Sequence, residues 1–64
     1  MSNSEIVAKF NTLTPDQQRA VKREASEIQQ FGRNIFWIET GLHADDSSNY
    51  WHVVKFAMER NYLI

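Results

Sequence analysis

Apolar residues along this chain recur at helical spacing, and nowhere do they alternate at the period of a strand. Near the N-terminus Ile6, Val7, Phe10 and Leu13 gather on one helical face, and Ser2 followed three residues later by Glu5 has the form of a capping box. The pattern predicts a first helix over 3–12. A stronger start signal stands at Thr14-Pro15-Asp16-Gln17, with Thr14 as N-cap, Pro15 at the first helical position and Gln17 reaching back. At about 100° per residue, Val21, Ala25, Ile28, Phe31, Gly32, Ile35, Ile38 and Leu42 form one broad stripe, which predicts helix two over 15–40. Gly32 is its single interruption. It either ends one helix, with Asn34 capping a shorter one, or is a weak or close-packed point in a long helix, and the unbroken stripe favours the long helix.

Gly41 then reads as a helix stop, and His43 to Asn49 as a polar loop in which Asp45, Asp46, Ser47 or Ser48 caps the next helix. That last helix is expected over 48–61. Its apolar residues, among them Tyr50, Trp51, Val53, Val54, Phe56, Ala57, Met58 and Tyr62, cover most of the circumference and leave a narrow polar strip of His52, Lys55 and Glu59. Such a helix must touch neighbours on two sides. The fold expected is therefore all-α, a three-helix domain in which the last helix packs on helix two and helix one closes the bundle.

Size and charge narrow the functions. The chain has 64 residues, 42% of them apolar and 23% charged, which fits one globular domain over 1–64 and neither a disordered tail nor a membrane span. Seven Lys and Arg against eight Asp and Glu give a net charge of -1, without the basic excess of a protein built to grip phosphate backbones. The absence of cysteine excludes disulfides and thiolate chemistry, and with no targeting pattern at the start a cytoplasmic setting is expected. A chain this short buries only about 60% of its unfolded surface, so self-association or a partner is the expected source of extra stability.

Seven of the eight aromatic residues lie between Phe31 and Tyr62, which puts the interesting chemistry in the C-terminal half. Trp37 falls almost opposite the Val21/Ile28/Ile35 stripe and near Arg33; it either points to solvent or a partner, or is covered by another helix. Trp51, Phe56 and Tyr62 pose the same choice on the last helix. Aromatic residues and Arg dominate binding hot spots, so Trp37, Trp51, Phe56, Tyr62 and Arg33 are the candidate partner-binding residues.

Other constellations are weaker. Glu39, His43, Asp45, Asp46 and His52 contain metal-ligand types, but Glu39 and His43 straddle Gly41 and no pair has a recognised zinc spacing, so no metal or other cofactor is expected. Ser47 or Ser48 with His52 and Asp46 has the residue types of a nucleophilic triad, yet no nucleophile elbow or glycine-rich oxyanion turn accompanies them. A non-enzyme is expected. Glu24 projects towards the apolar stripe, where burial would raise its pKa unless a cation pairs with it or it reaches out from the stripe edge. Arg19, Lys22 and Arg23 share one face of helix two and could meet phosphates, but Glu24 and Glu27 accompany them, and Arg23 with Glu27 reads as an i, i+4 pair.

The stretch Thr40-Gly41-Leu42, then Ser47-Ser48 and His52-Val53, ending at Glu59 to Ile64, resembles the turn and recognition helix of winged helix-turn-helix regulators. The resemblance covers the last third of the chain; the alternative expectation is a compact dimeric DNA-binding regulator in which Arg19, Lys22, Arg23 and Lys55, as cations, would contact phosphates. The sequence departs from the pattern in its longer turn, in Trp51 where a polar or basic base-reading residue is usual, and in lacking residues for a wing. The main expectation is a small interaction module, a regulator, adaptor or inhibitor of a type suited to a phage or mobile element. It docks an aromatic helical surface on a partner protein, with a homodimer as a further arrangement and no membrane contact.

Overall fold

In a computed structural model describing residues 1–64, the chain is all-α: α1 (Asn3–Asn11), α2 (Pro15–Phe31), α3 (Arg33–Thr40), a 3-10 turn (Ser47–Asn49) and α4 (Tyr50–Arg60). Both N-terminal signals form as expected. Ser2 caps α1 in a reciprocal box with Glu5, and Thr14 caps α2 in a second box with Gln17, Pro15 taking the first helical position. Each satisfies backbone N–H groups that the first turn leaves without carbonyl partners. Gly41 ends α3 in the left-handed conformation, at φ 72°, with its N–H on the Trp37 carbonyl.

The helix expected over 15–40 divides at Gly32, so four helices replace three. The interruption is one residue long: the Gly32 N–H still donates to Ile28 at 3.0 Å and its carbonyl accepts from Phe36 at 3.1 Å. Space favours glycine here, because a Cβ at this position would stand 3.2 Å from the Ile28 Cα, a tight approach to backbone. The break changes which face of α3 meets the core. Val21, Ala25 and Ile28 are buried as the stripe predicts, but Phe31 at the end of α2 is exposed, and beyond Gly32 the buried residue is Phe36 while Ile35 and Ile38 are exposed.

The core is built around α4. Of its twelve buried residues, five (Val53, Val54, Phe56, Ala57 and Met58) belong to that helix, with Ile6 and Phe10 from α1, the three from α2, Phe36 from α3 and Ala44 from the loop. The surplus of apolar surface on α4 is thus covered within the chain, by α2 on one side and α1 on another. Phe36 meets Phe56 edge-to-face at 5.3 Å, and Phe10 meets Trp51 likewise at 5.8 Å, geometries favoured by the ring quadrupole. No buried side-chain polar atom lacks a partner.

The C-terminus closes with a Schellman motif. The Leu63 N–H donates to Met58 and the Tyr62 N–H to Glu59, which requires positive φ at Tyr62 (57°) and tucks Leu63 against the core.

Candidate functional site

Because Gly32 re-aims α3, the last turn of α2 and the outer face of α3 bring together apolar side chains with nothing over them. Phe31, at the end of α2, is 85% exposed, and on α3 Ile38 is 78% and Ile35 50% exposed, whereas Phe36 is buried. Between Phe31 and Ile35 opens a groove of about 200 Å³, also lined by the buried Ile28 and Phe56 and bordered by Glu24, Glu27 and Arg60. Glu24 lies at the stripe edge, half-buried, and its carboxylate is held by the Arg60 Nε at 3.5 Å and by the Asn61 side-chain amide.

On the other flank of α3, Trp37 is 49% exposed and stacks on His43, ring centroids 4.7 Å apart and 19° from parallel. Arg33 pairs with Asp45 at 3.3 Å, and Gln29 Nε2 donates to the Ala44 carbonyl at 3.1 Å, so the α3–α4 loop is fastened to both preceding helices. Several of these residues border a polar recess of about 350 Å³.

The five candidate partner-binding residues are therefore scattered. Phe56 is 6% exposed and belongs to the core, reaching the surface only where it lines the groove. Trp51 is half-buried between Phe10 and Tyr50. Tyr62 is fully displayed but stands beyond the end of α4, and only Trp37 and Arg33 lie on α3. Phe31, Ile35 and Ile38, which the stripe assigns to the core, form the exposed surface instead. The signal that relocates them is Gly32, read as a break and not as a weak point.

The cations of the DNA-binding alternative do not make a free basic face. Arg19 is paired with Asp16, Lys55 with Glu59 at 3.3 Å, and Lys22 lies 5.8 Å from the centre of the Phe10 ring. Arg23 and Glu27 are not within ion-pair distance, so the i, i+4 pair is absent.

Glu39, His43, Asp45, Asp46 and His52 do not converge into a group of three metal-ligating side chains. No hydrogen bond joins Ser47 or Ser48 to His52. Asp46 instead accepts from the Ser48 backbone N–H at 3.0 Å and from its hydroxyl at 2.8 Å, capping the 3-10 turn, and these bonds hold its carboxyl below the ordinary value of 3.8. Hydrogen bonds from the Ser2 side chain and backbone likewise hold Glu5 below its ordinary 4.5. Both shifts belong to helix capping.

No helix is long and apolar enough to cross a membrane. Searches of family models, curated proteins and solved structures match nothing to this chain.

Proposed function

We propose that this chain is a non-enzymatic interaction module, a regulator, adaptor or inhibitor that docks the apolar surface at the α2–α3 junction on a partner protein. The observation that carries the reading is the exposure of Phe31, Ile35 and Ile38 around the α2–α3 junction, with Trp37 on the other flank of α3, in a chain that otherwise covers its large α4 surface internally. Isolated exposed apolar residues are ordinary, but several contiguous ones on a small monomer mark an interaction surface. Arg33 adds a rim contact of the kind enriched at interfaces, and Tyr62 offers a second aromatic contact outside the patch.

The test is cross-linked affinity capture from cells that encode the protein, comparing the wild type with Ile38→Asp and Trp37→Ala. Because both positions are open to solvent, the variants should keep the wild-type melting temperature to within a few degrees. The expected result is a protein retained by the wild type and lost from Ile38→Asp, with weaker retention by Trp37→Ala. Equal retention by all three folded proteins would remove the surface from the argument.

A further inference from the structure

The starts of α1 and α2 and the ends of α3 and α4 are set by local chemistry: two capping boxes, the left-handed Gly41 and the Schellman closure at Tyr62. The junction between α2 and α3 has no such device. Gly32 stands at φ -111° and ψ 17°, outside the left-handed region, and no side chain caps the first turn of α3. In an unbroken helix the N–H groups of Arg33, Asn34 and Ile35 would donate to the carbonyls of Gln29, Gln30 and Phe31. The tight approach that disfavours alanine at 32 also belongs to the bend, since a regular α-helix accommodates a Cβ at every position.

The bend is held instead by contacts that cross the junction: Phe36 against Phe56 in the core, the buried Ala44, and Gln29 Nε2 on the Ala44 carbonyl. The Arg33 pair with Asp45 and the Trp37 stack on His43 lie on one side of it, joining α3 and its following loop into one unit. Local pattern and tertiary packing therefore favour different arrangements of the same segment. The apolar stripe runs straight through Gly32, while the burial of Phe36 requires the turn. A glycine between two such packings is where a hinge absorbs the change.

We infer that Gly32 is a hinge between two states of the chain. In the bent state Phe36 fills the core. In the straightened state α2 and α3 form one helix over 15–40, Ile35 and Ile38 continue the stripe of Val21 and Ile28, and Phe36 withdraws from Phe56. That helix is about 39 Å long, against 28 Å for the longest dimension of the bent chain, so straightening extends the molecule. A binding partner shifts such an equilibrium only by its preference for one state, which makes the hinge a point of control independent of the docking reading above.

The chain has no cysteine, so Arg19→Cys and Glu39→Cys can carry nitroxide labels at exposed positions of α2 and α3, with unlabelled protein added so that each distance is read within one chain. The two backbone positions are about 30 Å apart along a continuous helix and closer in the bent one. Double electron–electron resonance should show a main short distance and a minor component near that longer value (about 30 Å) in the wild-type background. Gly32→Ala should raise the minor fraction about fivefold or more, from helix propensity alone. Gln29→Ala, which removes only a bond across the junction, should raise it as well, both variants keeping their helix content by far-ultraviolet circular dichroism. A single short distance in all three proteins, or a long component that neither variant increases, would overturn the hinge. So would loss of helicity in Gly32→Ala with no long component in Gln29→Ala, because the bend would then be the one folded arrangement.

Discussion

Phe36 and Ile38 are two positions apart on one short helix, and the structure assigns them opposite duties. Phe36 is fully buried and meets Phe56 edge-to-face, so Phe36→Ala removes a large side chain from the centre of the core. The loss for such a truncation is about 3–5 kcal/mol, comparable with the whole stability of roughly 3–5 kcal/mol expected of a single core this small. Urea titration followed by far-ultraviolet circular dichroism should therefore show Phe36→Ala without a cooperative transition. Ile38→Ala, on the open side of the same helix, should stay within about 0.5 kcal/mol of wild type. Similar losses for the two would mean that α3 packs by the continuous stripe and not by the face the structure shows. Capping residues make a different contribution. Glu5 and Asp46 both have pKa values lowered in the folded state by bonds from serine groups, so their stabilisation is present above the unfolded pKa and is lost as pH falls through the folded one. Stability should decline on acidification below the ordinary values of 4.5 and 3.8, and Glu5→Gln or Asp46→Asn should each flatten that decline in a pH series of melts.

Gly32 determines how the elements are arranged. Alanine there would gain helix propensity of about 1 kcal/mol, but its methyl would press on the Ile28 Cα, a backbone atom that cannot move aside as a side-chain tip can. Overpacking of that kind costs about 1–3 kcal/mol, so Gly32→Ala should be destabilising by about 1 kcal/mol net, and nuclear Overhauser contacts between Phe36 and Phe56 should weaken. A stabilised variant that keeps those contacts would show that the glycine is not needed for close approach. The same residue explains what is legible in the sequence. Helix starts at Ser2 and Thr14, the stop at Gly41 and the buried set Val21, Ala25 and Ile28 come from local chemistry and period, and the structure has them all. The placement of Phe31, Ile35, Phe36 and Ile38 is not legible, because hydrophobic periodicity carries on across a one-residue interruption that turns the next helix. Whether Trp51 and Phe56 serve the core or a partner is left open by the sequence for a related reason. Periodicity shows that α4 needs cover on two sides, but α1, α2 and Phe36 supply that cover from within the chain, and only their packing reveals it.

At the scale of the whole molecule, the core closes without help. The radius of gyration, 10.8 Å, is close to the value of about 10.7 Å expected for a compact monomer of this length, and every helix contributes to one cluster of buried residues. Under the docking proposal a partner would complete no missing layer and would add its binding free energy to a fold that already exists. The size of that addition is calculable. A ligand present at one hundred times its Kd stabilises the native state by about 2.7 kcal/mol, and in a domain of this size each kcal/mol raises Tm by about 4–8 °C. Saturation of the α2–α3 surface should accordingly raise Tm by roughly 10–20 °C, a shift read directly by scanning calorimetry with increasing partner. Ile35→Asp should melt near the wild type alone, because Ile35 is 50% exposed and lies outside the core, and on the docking proposal it should gain nothing from the partner. If instead the wild type gains stability as its own concentration rises, and Ile35→Asp does not, a second copy of the chain is the occupant that the exposed row of Phe31, Ile35 and Ile38 selects.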